Sequence, residues 1–373
     1  MREVIFLVRQ RALYSFLDNL APPYLESDWD NSGPQVDLDR ETIEKIMIGL
    51  DPTLELIQKG VKEGADLLIT HHPLIFSELD KLDLGSLTGG KIESLLKNDI
   101  GLLAVHTPFD LAARGLSHGL GKTLQLNDLT PLTNPADANL LKLTVFVPED
   151  DEEKVKKGLL KADAGQVGNY RNSYYRTESR GFFAPTESAD PDRGTSGRVE
   201  ETDEIKLEFL LKKERRPEVL STLKRLHPYE EPGFSIGEIQ RNDPEVGLGR
   251  VGRWGRSKNP GEIREFLGNR LNMDEEDLKI TGNLPEEVTW VAASPGAGGS
   301  AVKPAASSRA DLLVTGELDY HERLEASERG LVVVEAGHYN SEKVFIPWLK
   351  ELLREEFSPE DLEIDLYGEA IDL

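Results

Sequence analysis

Seven histidines stand in this chain of 373 residues, and their positions are the first chemical clue: His71, His72, His106, His118, His227, His321 and His338. His71-His72-Pro73 directly follows the apolar run DLLIT. Successive strand residues face opposite ways, so both imidazoles serve one site only if the strand ends there. Pro73 donates no hydrogen bond and holds His72 extended, which favours such an ending. Two neutral imidazoles projecting from a sheet edge suit a divalent ion. After the next apolar run comes His106-Thr107-Pro108-Phe109-Asp110. Asp110 would add a carboxylate able to bridge two ions, and His106 is either a ligand or a partner that orients one. Taken alone, Asp110 reads better as a helix N-cap. His338 and Glu342 follow LVVVE four residues apart and share a face if a helix starts there. His71, His72, Asp110, His338 and Glu342 together offer donors for two borderline ions such as Zn, Mn, Fe or Co. Glu317 and His321, in TGELDYH, are candidates for proton transfer beside the metals, or else a helix cap and an exposed His.

Other motifs fail on inspection. Gly119-Leu120-Gly121-Lys122-Thr123 resembles the tail of a phosphate loop, but Leu116 stands where the loop's first Gly belongs, so it reads as a helix end. Ser294–Ser300 (SPGAGGS) follows a strand and could present backbone N–H groups to an anion, yet a tight strand-to-helix turn explains it better. There is no G-x-S-x-G elbow. Cysteine is absent, which removes thiolate metal sites, disulfides and a Cys nucleophile. His227-Pro228-Tyr229-Glu230-Glu231-Pro232 reads as a rigid loop bounded by prolines.

These residues must be carried by strands and helices. Lys45–Leu50, Asp66–Thr70 and Gly101–Val105 read as strands, with helices over Leu54–Glu63 and around Ile92–Lys97. The last third repeats this grammar: a strand Val288–Ala293, the loop Ser294–Ser300, a strand Asp311–Thr315, a helix around Glu322–Arg329, then Leu331–Glu335. ADLLIT from Ala65 matches ADLLVT from Ala310, and GLLAV from Gly101 matches GLVVV from Gly330. Alternating strands and helices predict crossover units, so the expectation is two similar α/β halves with mainly parallel sheets facing one another. The middle breaks the pattern: a linker-like Pro131–Ala138, strands Leu141–Val147 and Ile205–Leu211, charged helices Glu152–Leu160 and Glu214–Leu226, and a Pro/Gly/Ser-rich Gly181–Arg198. That describes an inserted α+β module, with the main domain discontinuous across it.

Composition narrows the function classes. With 38% hydrophobic residues the chain can bury a core, and a net charge of −24 repels phosphate backbones and makes general nucleic-acid binding unlikely. The N-terminal run VIFLV is shorter than a secretory or membrane segment requires, so a soluble, cytoplasmic protein with no membrane partner is expected.

The motifs THHP (Thr70–Pro73), HTPFD (His106–Asp110), TGELDYH (Thr315–His321) and GHYNSE (Gly337–Glu342), with SDWDNSGPQV at Ser27–Val36, resemble the Nif-three-like family. Its members are often described as GTP cyclohydrolase I type 2 homologues. The resemblance implies two divalent ions per subunit held by His71, His72, Asp110, His338 and Glu342, in a toroidal homohexamer. It implies a metal-dependent hydrolase acting on a nucleotide or related small molecule, with a metal-storage, delivery or regulatory scaffold as the alternative. It divides the chain into 1–135 and 246–373, the two halves of the metal-binding domain, and 138–240, a ferredoxin-like insert similar to PII/CutA modules. Gly168-Asn169-Tyr170, GFFAP at Gly181 and HPYEEP at His227 carry that last likeness. Ser173, Pro108-Phe109 and Gly115-Leu116-Ser117-His118 depart from the family pattern and leave the ligand set intact.

Overall fold

The computed structural model describes residues 8–133, 140–166, 170–189, 194–239 and 245–368. Most of VIFLV, the centre of the linker Pro131–Ala138, and Gly168-Asn169 lie outside them. The chain divides into two compact units, one formed by Met1–Pro135 with Asp243–Leu373, the other by Ala136–Asn242.

Among the described residues the first unit holds a small antiparallel pair, Val8–Arg9 with Thr42–Ile43, and two larger sheets whose central strands are the short apolar runs of the sequence. Lys45–Gly49, Leu67–Thr70 and Gly101–Ala104 pair in parallel. Glu363–Leu366 adds a parallel strand at one edge, and Gly33–Val36 an antiparallel one at the other. In the second sheet Val288–Ala297, Leu312–Glu317 and Val332–Glu335 run parallel. Lys279–Thr281, Leu248–Lys258 and Asn127–Thr133 complete it through antiparallel pairs. This second sheet is therefore mixed rather than mainly parallel.

Alternation along each strand sends side chains to two apolar layers. Ile46, Ile48 and Ile69 enter a core shared with Val291, Val314 and Val334 of the other sheet, and with Phe345, Leu349 and Leu352 of the helix Phe345–Glu356. Met47, Leu68 and Leu102 point the opposite way into a separate layer with Leu56 and Ile57 of the helix Leu54–Glu63. That helix begins where Thr53 Oγ1 accepts the Leu56 N–H and ends at Gly64, whose φ of +70° is the left-handed stop that glycine takes without strain.

Two details depart from the sequence reading. The halves exchange strands: Asn127–Thr133 edges the second sheet, and Glu363–Leu366 edges the first. Pro131 thus lies in an edge strand, where its missing N–H leaves no ladder bond broken. Ser294–Ala297 continues its strand instead of starting a loop, with a register shift between Ser294 and Ala297.

The second unit runs strand Leu140–Pro148, helix Glu152–Lys161, strands Tyr174–Phe183 and Glu200–Lys212, helix Arg216–Leu226 and strand Phe234–Glu238. All its strand pairs are antiparallel. Leu140–Pro148 and Glu200–Lys212 are central, and the elements run in the order β-α-β-β-α-β. Leu141, Leu143, Val145 and Val147 point to one face and pack on Val155, Leu159, Val219 and Leu223 of the two helices. Among the described residues no helix is long and apolar enough to cross a membrane.

Candidate metal centre

In open α/β sheets, functional groups collect beyond the carboxyl ends of the strands. Here Asp51 follows Lys45–Gly49, His71 and His72 follow Leu67–Thr70, His106 follows Gly101–Ala104, Glu317 ends Leu312–Glu317, and His338 comes three residues after Val332–Glu335. The N–H groups of His71 and His72 both donate to the Leu50 carbonyl, at 3.1 Å each, and Thr70 Oγ1 donates to the His72 carbonyl. The ladder stops there, so two adjacent imidazoles reach one site, their ring centroids 4.9 Å apart.

Each of four imidazoles is tied at Nδ1. His71 Nδ1 donates to the Val105 carbonyl at 2.8 Å, which only a protonated Nδ1 can do. His72 Nδ1 lies 2.8 Å from Asp51, His106 Nδ1 2.6 Å from Asp30, and His338 Nδ1 3.0 Å from Glu317. The free edges converge. His71 Nε2 is 3.5 Å from Asp110 Oδ1, while Glu342 Oε2 is 3.3 Å from His72 Nε2 and 3.1 Å from His338 Nε2. Two sets have ligand atoms close enough to hold an ion: His71, His72 and His106, and His72, His338 and Glu342. His71 Nε2 and Glu342 Oε2 are buried without an aligned hydrogen bond. A buried donor set left unsatisfied in this way fits a divalent cation, and Nδ1 hydrogen bonds of this kind fix imidazole ligands in other metal sites.

The electrostatics agree. Burial pushes the His71 imidazole down to about 3, keeping it neutral. Burial also opposes a charge on His72, but Asp51 and Glu342, as acceptors for its two ring N–H groups, hold it up to about 10. Glu342 raises His338 to about 9 against the cost of burial, with help from Glu317. Glu342 itself stays well below the usual carboxylate range because His338 and His72 outweigh its burial. Asp110 is driven well above that range by burial and the facing Glu342 charge. Asp30 is held low, despite burial, by His106, Thr107 and Ser32.

Glycine makes room for the second half's ligands. His338 and Glu342 open and close the one-turn helix His338–Glu342, four apart on one face. Gly296, at φ +65°, passes so close that a Cβ would sit 2.2 Å from Glu342 Oε1, and its N–H donates to Ser341 Oγ at 2.9 Å. The glycine-rich SPGA segment therefore packs against the carboxylate. Arg250, 1% exposed, secures the first half by donating to the carbonyls of Gly247, Gly249, Ala112, Ala113 and Glu245, just beyond Asp110.

A family model described as Duf34/NIF3 (NGG1p interacting factor 3) matches residues 8–369. The chain belongs to this family. A Bacillus subtilis relative named "GTP cyclohydrolase 1 type 2 homolog" is 32% identical over 338 residues, 90% of either chain. One of the same name from Halalkalibacterium halodurans is 27% identical over 361 residues, covering 97% of this chain and 96% of its own. Among solved structures, a Bacillus cereus protein related to NIF3 matches with a TM-score of 0.63 at 28% identity over 97% of both chains.

For this NIF3-family chain the structure brings His71, His72, Asp110, His338 and Glu342 together. Asp110 lies inside the short helix Thr107–Leu111 and is not its N-cap. His106 joins the first potential ligand set. Glu317 meets His338, whereas His321 stands exposed on the helix Tyr320–Glu328 against Tyr320 and belongs to neither set. His118 stacks on Trp348 at 5.7 Å, and His227 is fixed by the Phe146 carbonyl and the Tyr229 N–H. Asp51 and Phe76 carry no sequence signal used above, and Trp29 and Asp30 stand in the SDWDNSGPQV motif without a role assigned to them; Trp29 and Phe76 are 59% and 53% exposed. Trp29 lies 5.7 Å from the His106 ring and 5.8 Å from Phe76.

Proposed function

We propose that this chain is a dinuclear metal-dependent hydrolase, in line with the name its relatives carry. In this reading His71, His72, Asp110, His338 and Glu342 hold two divalent ions of the Zn, Mn, Fe or Co type, with His106 beside them. The observation that carries the reading is the uniform use of Nδ1: four imidazoles are oriented from behind, and the Nε2 edges of His71, His72 and His338 meet two buried or half-buried carboxylates. Bound ions would supply Lewis acidity at the mouth of the cluster. The chain's own residues hold the ligands: Asp51, Asp30 and Glu317 fix ring orientation and tautomer. Glu317 thus acts as a positioning residue, its Oε1 already engaged by His338. Trp29 and Phe76 offer ring faces beside His106, which favours a substrate with a flat aromatic group such as a nucleobase.

The assembly belongs to the same proposal: a homohexameric ring in which the Ala136–Asn242 unit serves as a PII/CutA-like module. Its β-α-β-β-α-β order supports that reading. The first test is metal analysis of the native protein, followed by turnover of GTP and a phosphoester panel with that metal restored. Two ions per chain with metal-dependent turnover support the hydrolase, and two ions without turnover favour storage or regulation. The double substitution His71→Ala with Asp110→Ala should strip metal from a folded protein. Wild-type metal stoichiometry in that variant refutes the ligand assignment.

A further inference from the structure

Glu204 lies on the strand Glu200–Lys212 of the second unit, is only 8% exposed, and its carboxylate has no hydrogen bond or ion pair among the described residues. It sits over the neighbouring strand at Gly181, where a Cβ would come within 2.6 Å of Glu204 Oε2. Gly181 is needed there for space, because any side chain would evict the carboxylate. Glu204 also lines a cavity of about 550 Å³ with Phe146, Phe182, Phe183, Tyr229 and Glu231. That volume falls in the range of small-molecule sites, roughly 300–1,000 Å³. The rings of Phe183 and Tyr229 stand 6.0 Å apart at 50°, and Phe182 is 65% exposed at the rim. Arg180, the cationic residue on the lining, is turned to Glu201 at 2.6 Å and Asp203 at 3.5 Å.

A largely buried carboxylate that faces aromatic rings and shares its cavity with Glu230 and Glu231, while Arg180 is turned to other acids, is costly unless something positive pairs with it. We propose that this cavity binds a small organic cation, an alkylammonium or guanidinium group that pairs with Glu204 while Phe183 and Tyr229 face its charge and stem. A divalent metal ion fits poorly. Among the described residues the two groups with ligand atoms at ion-holding spacing both contain histidines of the other unit, and Glu204, Glu230 and Glu231 on this lining form no such group. The site is independent of the hydrolase reading, since every residue in it belongs to the Ala136–Asn242 unit.

The experiment is calorimetric titration of the full-length protein with agmatine and with spermidine, with magnesium chloride as a control. Saturable binding of at least one amine is expected, weakened at least tenfold by Glu204→Gln, with metal content unchanged and a melting temperature no lower than wild type. Should Glu204→Gln fail to fold, Phe182→Ala at the exposed rim takes its place and must also weaken binding. The proposal is overturned if neither amine binds, if Glu204→Gln binds like wild type, or if magnesium competes. It is equally overturned if amines fail to bind and Glu204→Gln changes the oligomer's mass, because the cation would then be a Lys or Arg of a second copy.

Discussion

Gly296→Ala separates the cost of an unfavourable backbone from the cost of moving a ligand. The new methyl would stand 2.2 Å from Glu342 Oε1 and 3.6 Å from His338 Nε2. Carbon–oxygen contacts settle near ~3.3 Å, so the carboxylate must retreat by about 1 Å. Glu342 is 5% exposed and closes a one-turn helix, so the retreat moves it away from His72 and His338. Metal–ligand distances tolerate only about 0.2 Å, and lesser disturbances around a site already cost roughly 10–100-fold in affinity. The left-handed φ of +65° adds about 1–2 kcal/mol of backbone strain. Gly330→Ala is the control: it has φ +70° with nothing within 4 Å, so it carries the strain alone. Gly296→Ala should lose at least as much stability as Gly330→Ala in denaturant titrations, and only Gly296→Ala should lose metal to a competing chelator, roughly 10–100-fold more readily. Equal metal retention by the two variants would refute the argument that SPGA seats the carboxylate.

Asp51→Asn and Glu317→Gln should each lower metal affinity roughly 10–100-fold without unfolding the protein, measured by chelator competition alongside thermal melts; unchanged affinity would mean that the Nδ1 bonds do not orient the ligands. Arg250→Met removes the donor to five buried or half-buried backbone carbonyls and should cost ~3–5 kcal/mol in urea unfolding, whereas a loss under 1 kcal/mol would show that water replaces the guanidinium. His118 is pushed down to about 4 by burial and by Arg250, against about 6.5 for the unfolded chain. Between those values the unfolded chain takes up a proton that the folded one refuses, so stability falls as pH drops from 6.5 toward 4. His118→Gln should flatten that part of the melting profile, and a profile as steep as wild type would assign the slope to other groups.

The proposed ligands are legible because each stands beside a strong local signal. HHP follows an apolar run, and the doubled N–H donation to Leu50 is the structural form of the strand ending that Pro73 suggests. The same strand-end rule, applied to KIMIGLD, would have found Asp51. Asp30 stands in the SDWDNSGPQV motif, but its role is not readable there: it meets His106 across 76 residues of sequence, and only folding brings them together. SPGA was taken for a loop because Pro and Gly are poor strand formers, yet a register shift lets the strand absorb them. The exchanged strands were hidden for a similar reason. NDLTPLT is polar and contains a proline, and its membership in the second sheet depends on a partner, Leu248–Lys258, that lies beyond the second unit in the chain.

That exchange bears on how the centre is held. Asp51, His71, His72, His106 and Asp110 come from one sheet's strand ends, and Glu317, His338 and Glu342 from the other's. The first half supplies His71, His72 and His106 by itself, the set with His72, His338 and Glu342 draws on both halves, and neither sheet is complete without a strand from the other half. The two inner faces share one core, and Phe345, at the start of the central helix, packs against the His71 ring at 5.1 Å as well as against that core. Any slip of one sheet against the other would have to break the exchanged strand pairs and the shared apolar layer before it could separate His72 from Glu342. The spacing of the metal-binding edges is thus set by the most cooperative part of the fold, while orientation is set locally by the Nδ1 partners. Those partners are the place to tune affinity without unfolding the chain, and the core is not.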